Sequence, residues 1–291
     1  MDVSVIVPVY NDADRLRQCL AALDAQTFAG AYEVVVVDNG STDDPGAVVT
    51  RHRTARIVHE PRPGSYAARN RGLQEAMGSI IAFTDADCIP EPTWLERGAA
   101  AARAHPAGFV VGRVQLFARD PARPTAVELW ELNHGFQQEL RVQRMNYGAT
   151  ANLMVPRALL DAVGPFDPAL CSSGDKEWGI RATAAGYPPH YADDVVVRHP
   201  ARATWRELRG KYLRIAADKN DLRLLDHAIP RGNGDARGLL RSGGQFARHR
   251  WAEARDLDRR DRLRYFAAML FVVGMRKYDT ARPTIRPREV R

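Results

Sequence analysis

Cysteine is scarce in this chain: three residues among 291, at Cys19, Cys88 and Cys171. They lie far apart and match no paired spacing of a zinc site or disulfide framework. Long apolar runs are also missing. The longest late one, Phe266 to Met275, falls short of the roughly 20 residues a bilayer-spanning helix needs. The N-terminus opens directly into a strand-like run instead of a cleavable leader, so the expected compartment is the cytoplasm. Glycine is absent where a dinucleotide enzyme needs it. The Gly-x-Gly-x-x-Gly fingerprint follows the first strand, and that turn here reads Pro8-Val9-Tyr10-Asn11-Asp12-Ala13. Acidic residues are in deficit, 35 against 42 basic ones, for a net charge of +7. No zinc knuckle or aromatic RNA-binding signature accompanies that charge. The expected partner is therefore an anionic small molecule or an anionic membrane surface, and not nucleic acid.

What the chain does have is an ordinary globular share of hydrophobic residues, 45%, set out as short strands alternating with helices. Val3 to Tyr10 is β-branched and reads as a strand. Asn11-Asp12 then turns the chain and can cap a helix carrying Leu16, Leu20 and Leu23 at helical spacing. Val34 to Val37 is a second, buried strand, and Arg56 to Val58 a short third. A loop at Arg62-Pro63-Gly64-Ser65 leads into a helix from Tyr66 to Met77. Trp94 to Ala104 predicts another helix, Phe109 to Val114 a strand, and Val127 to Val142 a helix. Tyr147 to Val155 reads as a strand of small residues, which implies close approach by a ligand or another backbone. Ser172 to Trp178 opens a helix reaching Ala185, and Val195 to Val197 is a last strand before His199. The alternation predicts an α/β fold with a mostly parallel sheet flanked by helices. From Trp205 onward the pattern is helical and rich in arginine, interrupted at Gly232-Asn233-Gly234 and Ser242-Gly243-Gly244. We expect one domain over residues 1–203 and a helical extension over 204–291.

The stretch Ser79 to Cys88 carries the strongest chemical signal. Apolar residues run to Phe83, and Asp85 and Asp87 follow one residue apart. A short continuous apolar run suits a strand buried on both faces of a parallel sheet. Ligands in open α/β sheets are met just past the carboxyl ends of such strands. If the segment stays extended, Asp85 and Asp87 point to the same side and together suit a hard divalent cation that in turn suits phosphate oxygens. The plainer reading is an Asp-rich strand end that caps the next helix.

The motifs occur in an order that resembles the family 2 glycosyltransferases, which have the GT-A fold. The matching residues are Val7-Pro8-Val9-Tyr10-Asn11, Val37-Asp38-Asn39-Gly40-Ser41-Thr42-Asp43, Ala68-Arg69-Asn70-Arg71-Gly72 and Phe83-Thr84-Asp85-Ala86-Asp87. Later come Gly164-Pro165-Phe166-Asp167 and Gly174-Asp175-Lys176-Glu177-Trp178. The resemblance covers roughly residues 1–200. It implies a nucleotide-sugar half over about 1–115 and an acceptor half over about 116–203.

The resemblance also implies roles. Tyr10 and Asp38 correspond to the nucleotide-base pocket, with Pro8 and Asn11 in the same donor-binding motif. Arg69 corresponds to an arginine near the nucleotide. Asp85 and Asp87 correspond to the Asp-x-Asp motif that binds nucleotide and metal, with His199 as a further metal contact. Asp175 corresponds to the second acid of a Glu-Asp pair, the general base; Gly174 stands where the first acid is expected. A carboxylate within reach of an acceptor hydroxyl can take its proton, and a cation with an arginine can stabilise the departing diphosphate. One base opposite the leaving group gives single displacement with inversion. The implied activity is sugar transfer from a nucleoside-diphosphate donor, UDP-sugar first, to a hydroxyl of a sugar, natural-product or lipid-linked acceptor, with Mg2+ or Mn2+. The alternative is a non-catalytic sugar-nucleotide or polyanion binding protein on the same fold.

Trp130, His134, Asn146 and Trp178 are candidates for an acceptor site, with packing as the plainer role of each. Tyr265 to Val273, flanked by Arg262, Arg264, Arg276 and Lys277, can lie on the inner face of an anionic membrane. It can equally pack as a helix on the catalytic domain or across a homodimer.

Overall fold

A computed structural model of the chain describes residues 1–222, 254 and 257–281. The breaks expected at 232–234 and 242–244 lie outside the described residues. The chain forms two compact units: Met1–Leu116 with Phe136–Pro200, and Phe117–Gly135 with Ala201–Arg291.

The first unit is built on an eight-stranded sheet in the order β3-β2-β1-β4-β7-β6-β8-β5. Its strands are β1 (Val3–Val9), β2 (Tyr32–Asp38), β3 (Ala55–His59), β4 (Ile80–Phe83), β5 (Ile89–Pro90), β6 (Phe109–Phe117), β7 (Leu153–Pro156) and β8 (Pro189–Pro200). The expected parallel pairing holds through β3, β2, β1 and β4. Past β4 the pairings of β7 with β4, β6 with β7 and β5 with β8 are antiparallel. The sheet is therefore mixed, and its parallel half is the half in which helices alternate with strands.

Alternate residues of the central strands feed two cores. Val5, Val7, Val34, Val36 and Ala82 face one side, covered by α1 (Ala13–Asp24), α2 (Pro45–Val49) and α4 (Trp94–Ala104). Ile6, Val35, Val37, Ile81 and Phe83 face the other, covered by α3 (Ser65–Glu75), α7 (Arg157–Val163) and α8 (Gly174–Ala184). Each such fully buried Val, Ile or Leu side chain contributes about 1.5–3 kcal/mol. The near-continuous apolar sequence of β1, β2 and β4 follows from burial on both faces.

Two expectations along the chain change. The helix expected over Val127–Val142 is two helices, α5 (Ala126–His134) and α6 (Gln138–Met145). Gly135 is extended, and Phe136 adopts φ 37°, a left-handed value rare for a bulky residue. The apolar spacing carries through this break, so periodicity alone joins the two. The strand expected over Tyr147–Val155 begins as a 3-10 turn, Thr150–Asn152, and only β7 is extended. Its small residues serve close packing: a Cβ on Gly148 would sit 2.3 Å from the Val111 side chain.

The second unit packs α5 with α9 (Trp205–Leu222) and α10 (Arg259–Ala281). Val127, Leu129, Trp130, Leu208, Tyr265, Ala268 and Val272 form its core. Thr125 and Glu128 make a reciprocal capping box at the start of α5. No helix among the described residues is long and apolar enough to cross a membrane. One face of α10 is buried in this core, while Leu263 and Leu270, seven residues apart, are 64% and 65% exposed.

Candidate active site

The carboxyl ends of β1, β2 and β4 lie side by side, and the first group of expected site residues gathers there. β4 pairs with β1 only as far as Ile6–Phe83. Pro8 lies past that ladder, where a missing N–H costs nothing on the β4 side. Tyr10, at the end of β1, is 50% exposed, leaving its ring free to stack. Asn11 is left-handed at φ 50°, a conformation asparagine tolerates. Its amide oxygen accepts from the Thr42 backbone N–H at 2.6 Å, and its own N–H donates to Ser41 Oγ at 3.0 Å. Asn11 thus ties the loop after β2 to the tip of β1. Asp38 accepts from the Ser41 N–H at 2.9 Å and faces His59 Nδ1 at 3.3 Å. Burial pushes the Asp38 carboxyl up, but the Ser41 and His59 contacts outweigh it and hold the carboxyl below its usual range.

Asp85 and Asp87 do not project from an extended segment. The backbone turns immediately after β4, with the Cys88 N–H donating to the Asp85 carbonyl at 3.0 Å. The two side chains take different partners. Asp85 forms an ion pair with Arg69, which is buried on α3. Asp87 Oδ1 lies 3.4 Å from His199 Nε2, and its Oδ2 lies 3.7 Å from the exposed Arg15. Asp87, Cys88 and His199 bring one ligand-type atom each within 4.8 Å of one another. Burial drives the Cys88 thiol well above its usual range, helped by the charges of Asp87 and Asp85. The Asp87 carboxylate is a donor type that suits Mg2+ or Mn2+, and the His199 imidazole is a common metal ligand.

Asp175 stands in the first turn of α8 and accepts from the Lys176 N–H at 2.8 Å. Burial raises its pKa above the usual carboxylate range; Arg141, the Lys176 N–H, Arg69 and the Tyr66 hydroxyl oppose the rise. Tyr66, buried on α3, donates to the Ser172 carbonyl at 3.0 Å. The Arg69 guanidinium lies over the Tyr66 ring at 5.6 Å. Arg69 therefore connects the Asp85 side of the site with the Asp175 side. Its Nε is the buried side-chain polar atom without a hydrogen-bond partner among the described residues.

Gly174, standing where the first acid of the pair is expected, makes room for a neighbouring ring. A Cβ there would fall 2.7 Å from the Tyr66 ring, so glycine lets Tyr66 pack beneath Asp175. Glu177 is held by Arg181 at 2.7 and 3.0 Å, and Arg181 also donates to the Val163 and Pro165 carbonyls. Both Glu177 carboxylate oxygens are thus taken up by Arg181. Trp178 is buried, with Nε1 donating to the Gly164 carbonyl at 3.0 Å. Trp130 and His134 stack in the second unit's core, with His134 Nε2 2.5 Å from the Tyr265 hydroxyl. These three side chains are packing residues, and Asn146 is the left-handed cap of α6.

Several residues that shape the site carry only short-range polar signals in the sequence. Asn39 donates to the Glu60 and Arg62 carbonyls and accepts from the Gly64 N–H at 2.8 Å, fixing the loop that starts α3. Asn70 makes a two-way bond with the Phe166 backbone at 2.8 and 3.0 Å. Both belong to motifs already quoted; Asn39 lies in a loop, where an Asn signals such backbone mimicry, whereas Asn70 lies on α3. Arg141 and Phe136 have no comparable signal.

Known proteins resemble this chain in sequence and in fold. A family model described as "Glycosyl transferase family 2" matches residues 4–164. The glycosyltransferase AglE of Haloferax volcanii is 38% identical over 230 residues, 77% of this chain and 75% of AglE. Among solved structures, the mannosyltransferase PcManGT from Pyrobaculum calidifontis, in complex with GDP-Man and Mn2+, aligns with a TM-score of 0.63. The identity is 22%, covering 96% of this chain and 83% of that one. S. aureus TarS 1–349 in complex with UDP-GlcNAc aligns with a TM-score of 0.58 and 18% identity, over 97% and 83%. The chain spans 39% of the length of another, longer TarS chain. The expected GT-A architecture is the one these neighbours share.

Proposed function

The chain belongs to glycosyl transferase family 2, and on that premise we propose that it moves a sugar from a nucleoside diphosphate to an acceptor hydroxyl with inversion. The observation that carries the reading is the placement of acids on two sides of one arginine. Asp85 is paired to Arg69, and Asp175 feels the charge of the same side chain.

In this reading Tyr10 stacks on the base and Asp38 accepts from it, held in its ionised form by Ser41 and His59. Asp87 and His199 would hold the divalent cation, with Asp85 beside them; bound there, it would neutralise charge developing on the diphosphate. Arg69 faces the same charge with a fixed guanidinium, an arrangement that needs no reorganisation as the bond breaks. Asp175 accepts the proton of the incoming hydroxyl. A base opposite the leaving group is what supports inversion. The UDP-sugar preference remains the first choice, with GDP-sugars the second, since neighbours of the fold are described with each.

The test is release of nucleoside diphosphate from a panel of UDP- and GDP-sugars, with and without Mn2+ or Mg2+. Turnover should require the cation and be lost in Asp85→Ala and Asp87→Ala. Donor binding without turnover would favour the non-catalytic reading instead. The exposed Leu263 and Leu270 on α10 support the peripheral-membrane idea. Co-sedimentation with anionic liposomes, compared with a Leu263→Ser/Leu270→Ser variant, checks it; equal partitioning ends it.

A further inference from the structure

Arg141, on α6, is a half-buried cation with nothing bound to it. Its guanidinium lies over the Phe136 ring at 5.8 Å and the Tyr147 ring at 5.5 Å. It makes no side-chain hydrogen bond and no ion pair with any described residue. Stacking uses the faces of a guanidinium, whereas its N–H donors point outward in the plane. Two rings therefore hold the group in place and leave its donor edge open.

The surroundings put that edge at the site. Tyr147 packs directly on α8: a Cβ on Gly179 would meet the Tyr147 Cβ at 2.6 Å. Gly179 lies four residues after Asp175, on the same helical face. The charge of Arg141 is felt by Asp175. Phe136 packs on His199 with ring centroids 4.8 Å apart, and His199 faces Asp87. Phe136 is held at a positive φ of 37°, a conformation that persists only where its neighbours fix it. Arg69 is ion-paired with Asp85, whereas Arg141 has no such pair among the described residues.

We propose that Arg141 receives an anionic group of the acceptor, a phosphate or carboxylate carried close to the hydroxyl that is glycosylated. The inference rests on Asp175 being the base that meets this hydroxyl. A guanidinium takes either anion in a two-pronged contact that an ammonium reproduces poorly.

The experiment uses the full chain with whichever UDP- or GDP-sugar it hydrolyses, and three acceptors: methyl glucoside, methyl glucuronide and methyl glucoside 6-phosphate. Nucleotide release gives kcat/KM for each. The ratio of anionic to neutral acceptor is compared in wild type, Arg141→Met and Arg141→Lys. Partial misfolding lowers both acceptors alike and cancels in that ratio. Wild type should prefer one anionic member, and which one separates carboxylate from phosphate. Arg141→Met should lower the ratio by about 10- to 100-fold, with Arg141→Lys between. A ratio unchanged in Arg141→Met, no anionic preference in wild type, or a loss confined to nucleotide affinity overturns the inference. Absence of donor hydrolysis by wild type would instead remove the transferase reading, and the inference with it.

Discussion

Each of the two units buries a charge cluster, and the clusters are finished differently. In the second unit Glu131 is 1% exposed and is met at 2.7 Å by both Arg202 and Lys211. Nearby on the same helix, Glu128 accepts the Arg119 and Thr125 N–H groups at 2.8 and 2.7 Å. Every oxygen has a partner, as a buried carboxylate requires. In the first unit Arg69 is 4% exposed, yet its Nε has no partner, and the Arg141 donors are unbonded. On the reading proposed above, saturated charges hold the fold, while the unsaturated ones are kept for a ligand.

That contrast can be broken in several ways. The largest effect should come from Arg69→Met, which removes the cation between the two sides of the site. Donor turnover per folded molecule should fall by about 1,000-fold; a lowered melt with turnover per folded molecule intact would reverse the contrast. Asp175→Asn should lower transfer by about 100-fold or more while leaving donor affinity near wild type, measured by calorimetry with nucleoside diphosphate. Glu131→Ala should do the opposite. Losing one partner of a buried ion cluster costs about 3 kcal/mol, read by denaturant titration, with kcat/KM per folded molecule unchanged.

The finest comparison is pH dependence. Burial raises Glu131 but Lys211 and Arg202 outweigh it, so its folded pKa is lowered. Its stabilisation is present above the ordinary glutamate pKa and is lost as pH falls through the lowered folded value. Asp175 is raised, so activity should fall, as pH drops, at a higher pH than an ordinary carboxylate would give. Arg141→Met removes a lowering influence and should move that acid limb higher still, visible in the pH profile of kcat/KM.

The sheet's first half was legible because β1, β2 and β4 are buried on both faces and leave continuous apolar runs. The site motifs were legible because a short loop after each strand carries its own polar residues. The antiparallel second half was less so: β7 is four residues long behind a 3-10 turn, and strand direction leaves no mark in local composition. The split between α5 and α6 escaped because Gly135-Phe136 preserves the helical spacing of apolar residues across a backbone reversal.

By itself the order of residues settled that acids would cluster past the fourth strand and that Asp175 would open a helix, since both follow from local pattern. Only the folded chain decided how those acids are used. A turn at Asp85–Cys88 sends Asp85 to Arg69 and Asp87 to His199, 112 positions away in sequence by simple difference of the two numbers. Partners so distant meet through sheet order and helix packing, and no local pattern encodes which cation will be left without a carboxylate.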